Sequence, residues 1–346
     1  MSRGKVLGGL LLVLIVVTGL SAAAVTLPIG GNDSDQGSSG PAVGHPKVRP
    51  GAPWASGAWV GGSSSTAAID KFGRWRGKPA ATVTTYPAYD TWQQIIDSDW
   101  HVSNFDGFRG TLVYGLPLLP SKEKAALGDV AAGDHDDVWR AVADTLVKHG
   151  RGDSFVRIGL EANGTWFPWG ATADTAADYV AAYRHVARVM AARAPHLRFV
   201  FDITCGAALK GSDDRMASLE NLYPGDDVVD VVGCDFYDAW STKVRNDREL
   251  ASVESPSAGP GLEDVVAFAR SHGKQFAVPE WGLTGVDAHG SGDNPYFIRV
   301  MYEFFYVNRR SLAFEDYFDE PNSYISSSIS QGDQNPKAAA EYRRLW

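Results

Sequence analysis

The stretch Ser154-Phe-Val-Arg157-Ile-Gly-Leu160-Glu161-Ala-Asn163-Gly164-Thr-Trp166-Phe167-Pro168-Trp169-Gly170 begins as a short apolar, β-branched run. It ends in a carboxylate and then breaks into a glycine- and aromatic-rich loop. The same grammar returns at Phe276-Ala-Val-Pro279-Glu280-Trp281-Gly282-Leu283, where another apolar run stops at a glutamate. A buried strand has little physical reason to end in an acid, because a carboxylate loses hydration there unless something nearby needs it.

Working outward, six further runs have the same short apolar character bounded by turn residues: 58–61, 81–85, 110–114, 197–203, 228–234 and 311–314. With 154–158 and 275–279 they make eight strand candidates. Helical patterns lie between them. Val138, Val142 and Leu146 share one face, as do Tyr179, Tyr183, Val186 and Met190, and 262–272, 295–310 and 336–344 are further helical segments. Strict β-then-α alternation predicts an α/β fold, a closed parallel (β/α)8 TIM barrel. No GxGxxG follows the first strand and no Walker lysine loop occurs, which disfavours a doubly wound nucleotide-binding sheet.

In such a barrel the catalytic groups sit where strands end at the C-terminal face. Glu161 after the fourth strand and Glu280 after the seventh can therefore face each other across one mouth. A pair of carboxylates is what glycoside hydrolysis requires: one protonates the leaving oxygen and one attacks the anomeric carbon. Trp166 and Trp169, beside Glu161, offer flat apolar faces on which sugar rings pack, and they are read as subsite walls.

These motifs make the chain resemble glycoside hydrolase family 26, retaining barrel enzymes with the acid/base after strand four and the nucleophile after strand seven. Arg157, Glu161, Asn163, Gly164 and Trp166 resemble the family's R-x-x-H-E-x-N-G-x-W-F-x-W-G segment. Residues 223–226 and 229–237, ending in Cys234-Asp235-Phe236-Tyr237, resemble its sixth strand. The resemblance implies that Glu161 is the acid/base, Glu280 the nucleophile and Tyr237 a hydroxyl that orients the nucleophile. Arg157, Asn163 and Trp281 complete the set expected at the substrate. It also implies a polysaccharide or oligosaccharide substrate, β-1,4-mannan most commonly, with β-glucan, xylan or cell-wall glycans as alternatives. The family carries His immediately before its acid/base, where it contacts the sugar next to the cleavage point; this chain has Leu160. A sugar-binding barrel without hydrolysis is the competing class.

The remaining signals set the context. The composition, 44% hydrophobic and 21% charged over 346 residues, is globular, and a net charge of −9 disfavours nucleic acid as a partner. Residues 1–24 read as a signal peptide or N-terminal membrane anchor: Arg3 and Lys5 precede an apolar run and small residues. Residues 25–53 read as a Gly/Ser/Pro-rich linker and 54–346 as the catalytic domain, a monomer secreted or held outside the cytoplasm. Cys205 and Cys234 fall at the ends of consecutive strands, close enough for one disulfide and equally compatible with two buried thiols. Asp134, Asp136 and Asp137 precede a helix and are read as its N-terminal charges rather than metal ligands. Asp235 and Asp238 flank Tyr237 at the end of the sixth strand, and Glu315 and Asp316 follow the eighth, each a candidate partner for a sugar hydroxyl; His101, beside Trp100, is read first as a surface or packing residue and second as a residue of the cleft. No GxSxG elbow, HExxH motif or strand-terminal Schiff-base lysine is present, and neither a metal nor a cofactor is expected.

Overall fold

The structure, a computed structural model, describes residues 45–62, 64–254 and 258–346. The predicted signal or anchor segment 1–24 and residues 25–44 of the predicted linker lie outside them. Among the described residues no helix is long and apolar enough to cross a membrane.

The eight strands are β1 Ser56–Trp59, β2 Thr82–Thr85, β3 Thr111–Leu116, β4 Phe155–Ile158, β5 Arg198–Thr204, β6 Val231–Tyr237, β7 Gln275–Gly282 and β8 Leu312–Phe318. They close into one barrel in sequence order, with β8 returning parallel to β1. Each expected strand is present. A buried parallel strand is covered on both faces, which is why β4 is buried at every position and is apolar apart from Arg157. Inside the barrel, Val113, Phe155, Val200, Val231, Ala277 and Phe314 form a small separate cluster, one residue from each of β3 to β8. Val113 is in register with Phe155, Val200 with Val231 and Ala277 with Phe314.

The helices Asp136–Lys148 and Ala176–Arg193 bury the faces read from their spacing: Val138, Val142 and Leu146 in the first, Tyr179, Tyr183, Val186 and Met190 in the second. The helix Thr66–Arg76 is a further element, burying Ile69, Phe72 and Arg76 on one face. Ser65 Oγ caps it, accepting from the Ala68 amide, and Gly77 closes it at φ 81°. β6 and β7 extend beyond the apolar runs, to Tyr237 and Gly282, and their register slips between Gly233 and Phe236 and between Val278 and Trp281. These irregularities spare Pro279 a regular ladder position, where its missing N–H would leave an acceptor unpaired.

Residues 45–53, within the predicted linker, lie against the barrel's outer helices. The Gly51 amide donates to the Leu345 carbonyl at 2.6 Å, and the Tyr302 hydroxyl donates to the Arg49 carbonyl at 2.6 Å. Trp54 then enters the core, where three indole N–H groups converge on the fully buried carboxylate of Glu315: Trp54 at 3.0 Å, Trp281 at 2.6 Å and Trp346 at 2.8 Å. Burial pushes this carboxyl up to about 7, while the donors work against that shift. Cys205 and Cys234 form a disulfide across the ends of β5 and β6, with Cα atoms 5.5 Å apart. Closing a loop over a sequence separation of 29 stabilises a chain by roughly 3.5 kcal/mol in the loop-entropy description.

Glu315→Ala leaves three buried indole donors without an acceptor, each costing about 1 to 3 kcal/mol. Equilibrium urea unfolding should show a loss of at least about 3 kcal/mol; stability equal to the parent protein would exclude this role for Glu315.

Candidate active site

The chain leaves β4 by a turn that only part of its sequence favours. Gly159 adopts φ 55° and Glu161 adopts φ 49°, a left-handed conformation that costs a residue with a Cβ about 1 to 2 kcal/mol. Asp202, on the neighbouring strand β5, offsets the cost. Its Oδ1 accepts the Glu161 amide at 2.6 Å, and its carbonyl accepts the Ala162 amide at 3.0 Å. Asn163 ties the following loop to β5: its Oδ1 accepts the Thr204 amide at 2.8 Å, and its Nδ2 donates to the carbonyls of Thr204 and Ala207, both at 3.0 Å.

Under this turn lies a buried ionic network centred on Arg157. Its Nε donates to Asp202 Oδ2 at 2.6 Å, one terminal nitrogen to Asp235 Oδ2 at 2.5 Å, and the other to Glu280 Oε1 at 2.7 Å. Burial alone would weaken the guanidinium's charge, but Asp202, Asp235 and Glu280 outweigh it and hold the group protonated. Glu280 is gripped from further directions. The Tyr86 hydroxyl donates to Oε1 at 2.6 Å, the Tyr237 hydroxyl donates to Oε2 at 2.8 Å, and the Glu280 amide donates to Asp235 Oδ1 at 3.0 Å. Charged hydrogen bonds of this kind are the strong ones, and they fix both oxygens of the carboxylate.

Glu161 has fewer donors: Thr204 Oγ1 at 2.7 Å to Oε1 and the Trp166 indole at 2.9 Å to Oε2. Burial, followed by the negative field of Glu280, raises its pKa to about 7, against the opposing pull of Thr204, Arg157 and Trp166. A carboxyl raised in this way can carry a proton near neutrality, which is what a general acid requires.

Both carboxylates open into a cleft of about 660 Å³ whose walls include Trp59, Tyr86, Tyr89, Trp166, Trp169, Tyr237, Trp240 and Phe318. Trp59 and Phe318 stack at 4.2 Å, and Phe167 and Trp169 stack at 4.6 Å, so the rings are held in place before any ligand arrives.

Of the residues expected at the substrate, Glu161, Glu280, Trp166, Trp169 and Tyr237 line this cleft, as does Leu160. Three do not, and their placement corrects the sequence reading. Arg157 is fully buried and spends its donors on carboxylates, so it positions Glu280 from beneath. Asn163 braces the loop to β5 with both ends of its amide. Trp281 points outward from β7, where it bonds Glu315 and stacks on Trp346 at 5.3 Å. The period of two along a strand explains this: if Glu280 faces the mouth, its neighbour faces the helices.

Tyr86, Asp202 and Thr204 were missed. Tyr86 directly follows the end of β2, the same strand-end signal that marked the glutamates, and Asp202 is an acid inside an apolar strand next to one carrying an arginine. Among the other polar residues, Asp235 joins the Arg157 network, while Asp238 holds the Val244 amide, Ser291 and Asn294. Asp316 points into the barrel and accepts from Thr82 and Thr84. His101 is buried and accepts the Ala88 amide at 3.2 Å, and burial lowers its pKa to about 4. Asp136 and Asp137 occupy the first turn of their helix, where Asp136 pairs with Arg140 and His185. Among the described residues no group of three or more His, Cys, Asp or Glu is arranged to hold a metal ion.

Over 184 residues the chain is 31% identical to a mannan endo-1,4-beta-mannosidase of Bifidobacterium adolescentis, a match covering 49% of this chain and 17% of that protein. Over 192 residues it is 27% identical to Endoglucanase H of Acetivibrio thermocellus, covering 54% of this chain and 20% of that one. The chain thus spans a fifth or less of the length of these relatives. Among solved structures, a Bacillus subtilis mannanase shares the fold, with a TM-score of 0.54, 19% identity and coverage of 85% of this chain and 84% of the other. The model of glycosyl hydrolase family 26 matches residues 84–258, which include Arg157, Glu161, Asp202, Asp235 and Tyr237 and end before Glu280. That match is 175 of the 346 residues, just over half of the chain, and with the closed barrel it shows that the protein belongs to glycosyl hydrolase family 26.

Proposed function

We propose that this chain cleaves β-linked polysaccharide by double displacement with retention of anomeric configuration, with β-1,4-mannan-type chains as the first substrate class. The observation that carries the reading is the division of labour between two glutamates in one aromatic cleft. Glu161 is raised to about 7 and can carry a proton near neutrality. Glu280 is fixed in place by hydrogen bonds from Arg157, Tyr86 and Tyr237. In this mechanism Glu161 protonates the leaving glycosidic oxygen while Glu280 attacks the anomeric carbon, forming a covalent glycosyl-enzyme. Loss of the aglycone leaves Glu161 ionised beside the intermediate. It then takes a proton from water, whose oxygen attacks the same carbon and releases Glu280. Tyr237 and Tyr86 keep the nucleophile oriented through both steps, and Arg157 prevents its rotation from below.

Mannan is favoured by the mannosidase relative. The endoglucanase relative supports β-glucan as a second reading, and Leu160 bears on the choice. It lines the cleft beside Glu161 and offers apolar contact where an imidazole would offer a hydrogen bond. Export is part of the same proposal: the N-terminal segment reads as a signal or anchor, and a disulfide persists in an oxidising compartment. A monomer outside the cytoplasm is the corresponding working form.

Proton NMR of the first sugar released from mannan or glucan oligosaccharides should show retention; inversion overturns the assignment of Glu280 as nucleophile. Glu280→Ala should abolish hydrolysis without loss of fold. Glu161→Ala should slow natural substrates about 100- to 10,000-fold, but much less for an aryl glycoside whose leaving group needs no proton.

The general acid must be protonated, so kcat/KM should fall as pH rises through about 7. Thr204→Val removes a donor that stabilises ionised Glu161, so its pKa rises and the alkaline limb moves upward. A hydrogen bond to a charged group is worth about 1.5 kcal/mol, which corresponds to roughly one pH unit. A limb that stays in place or moves to lower pH assigns it to another group.

A further inference from the structure

The rim of the cleft beyond β6 holds a second polar arrangement, separate from the two glutamates. Ala239 makes an isolated antiparallel bridge with Gly290, and the Trp240 amide donates to the His289 carbonyl at 3.0 Å. Trp240 at φ 50° and His289 at φ 67° both adopt the left-handed conformation, an uncommon arrangement for two residues with side chains facing each other. The result is a stacked pair with ring centroids 3.8 Å apart. The Trp240 ring lines the cleft while remaining 40% exposed.

The short turn Trp240–Thr242 is pinned by Thr242 Oγ1, which donates to the carbonyls of Tyr237 at 2.9 Å and Ala239 at 2.6 Å. It delivers Lys243, half-buried, to the same wall of the cleft. Nearby Arg245 is occupied by Glu249. Lys243 has neither an ion pair nor a hydrogen bond among the described residues. Partial burial of an ammonium with no internal counter-charge is unfavourable, and in a chain of net charge −9 an acidic neighbour would have been easy to supply. A neutral sugar asks only for hydroxyl partners. A charged one asks for this combination of an aromatic face and a free cation.

We propose that Trp240, His289 and Lys243 form a distal subsite for an anionic sugar residue, the ring packing on Trp240 and its charged substituent meeting the Lys243 ammonium. This rests on the reading of the cleft as a glycan-binding site and extends it to a substrate class, polysaccharides carrying uronate or sulfate groups.

The test uses β-1,4-glucomannan oligosaccharides in three forms: unmodified, oxidised to carboxylate at C6, and sulfated at C6. Binding is measured by calorimetry on Glu280→Gln protein, so that ligand is not consumed. An anionic form should bind at least about tenfold more tightly than the neutral one at about 50 mM salt, with the preference falling steeply by about 500 mM. The tighter of the two anionic forms identifies the substituent. Lys243→Gln on the same background should bring the preference close to one, and Trp240→Ala should weaken binding of all three forms, with unchanged thermal melting for both. Equal affinity for neutral and anionic forms, or a preference that survives Lys243→Gln, overturns the subsite. Hydrolysis of neutral glycan by the wild-type protein with no charge preference in binding removes the subsite and leaves the catalytic reading intact. Charge preference without hydrolysis of any of the three glycans retains the subsite and removes the catalytic reading.

Discussion

One buried guanidinium organises the candidate site. Arg157 sits in the middle of a strand that is otherwise apolar, with no exposure to solvent, and it meets carboxylates from three other strands: Asp202, Asp235 and Glu280. Burying any one of these charges alone would be strongly unfavourable, and removing one partner from such a set typically costs about 3 to 5 kcal/mol because it strands the others. Their mutual satisfaction ties β4, β5, β6 and β7 together at the barrel's mouth. The geometry of Glu280 is therefore a consequence of the ionic network beneath it, since its backbone amide and one carboxylate oxygen are both fixed by members of that network.

The same network reaches Glu161 by a different route. Asp202 binds Arg157 with one oxygen and the Glu161 amide with the other, so the left-handed turn that presents Glu161 is held by the group that helps neutralise the guanidinium. A strained residue persists where its surroundings over-determine it. The two glutamates then differ in their donors: Arg157, Tyr86 and Tyr237 hold Glu280, whereas Thr204 and Trp166 reach Glu161.

A second polar cluster, on the far side of β7 and β8, closes the fold. Glu315 gathers indole donors from Trp54, Trp281 and Trp346, residues spread over nearly the whole described chain. Trp281 and Glu280 are neighbours in sequence, yet one belongs to this outer cluster and the other to the cleft. The alternation of a strand thus couples the packing of the terminal segments to the position of the nucleophile candidate.

Much of the architecture was legible in the sequence because its signals are local. The apolar runs ending in glutamate, the helical faces of Val138, Val142 and Leu146, and the loop after Glu161 each depend on residues within one turn or one strand. They gave eight strands, the barrel and the pair of glutamates, and the resemblance carried by the Arg157 to Gly170 segment pointed to the family that the comparisons show. What the sequence left open is pairwise and long-range. It offered Arg157, Asn163 and Trp281 for the substrate, whereas each is turned to another task by a partner distant in sequence: Glu280 for Arg157, Thr204 and Ala207 for Asn163, Glu315 for Trp281. Tyr86, Asp202 and Thr204 became visible only when the barrel brought their strands beside β4 and β7. A hydrogen bond or a proton affinity belongs to a pair of groups and to their shared exclusion from water, and that is decided when the chain closes upon itself.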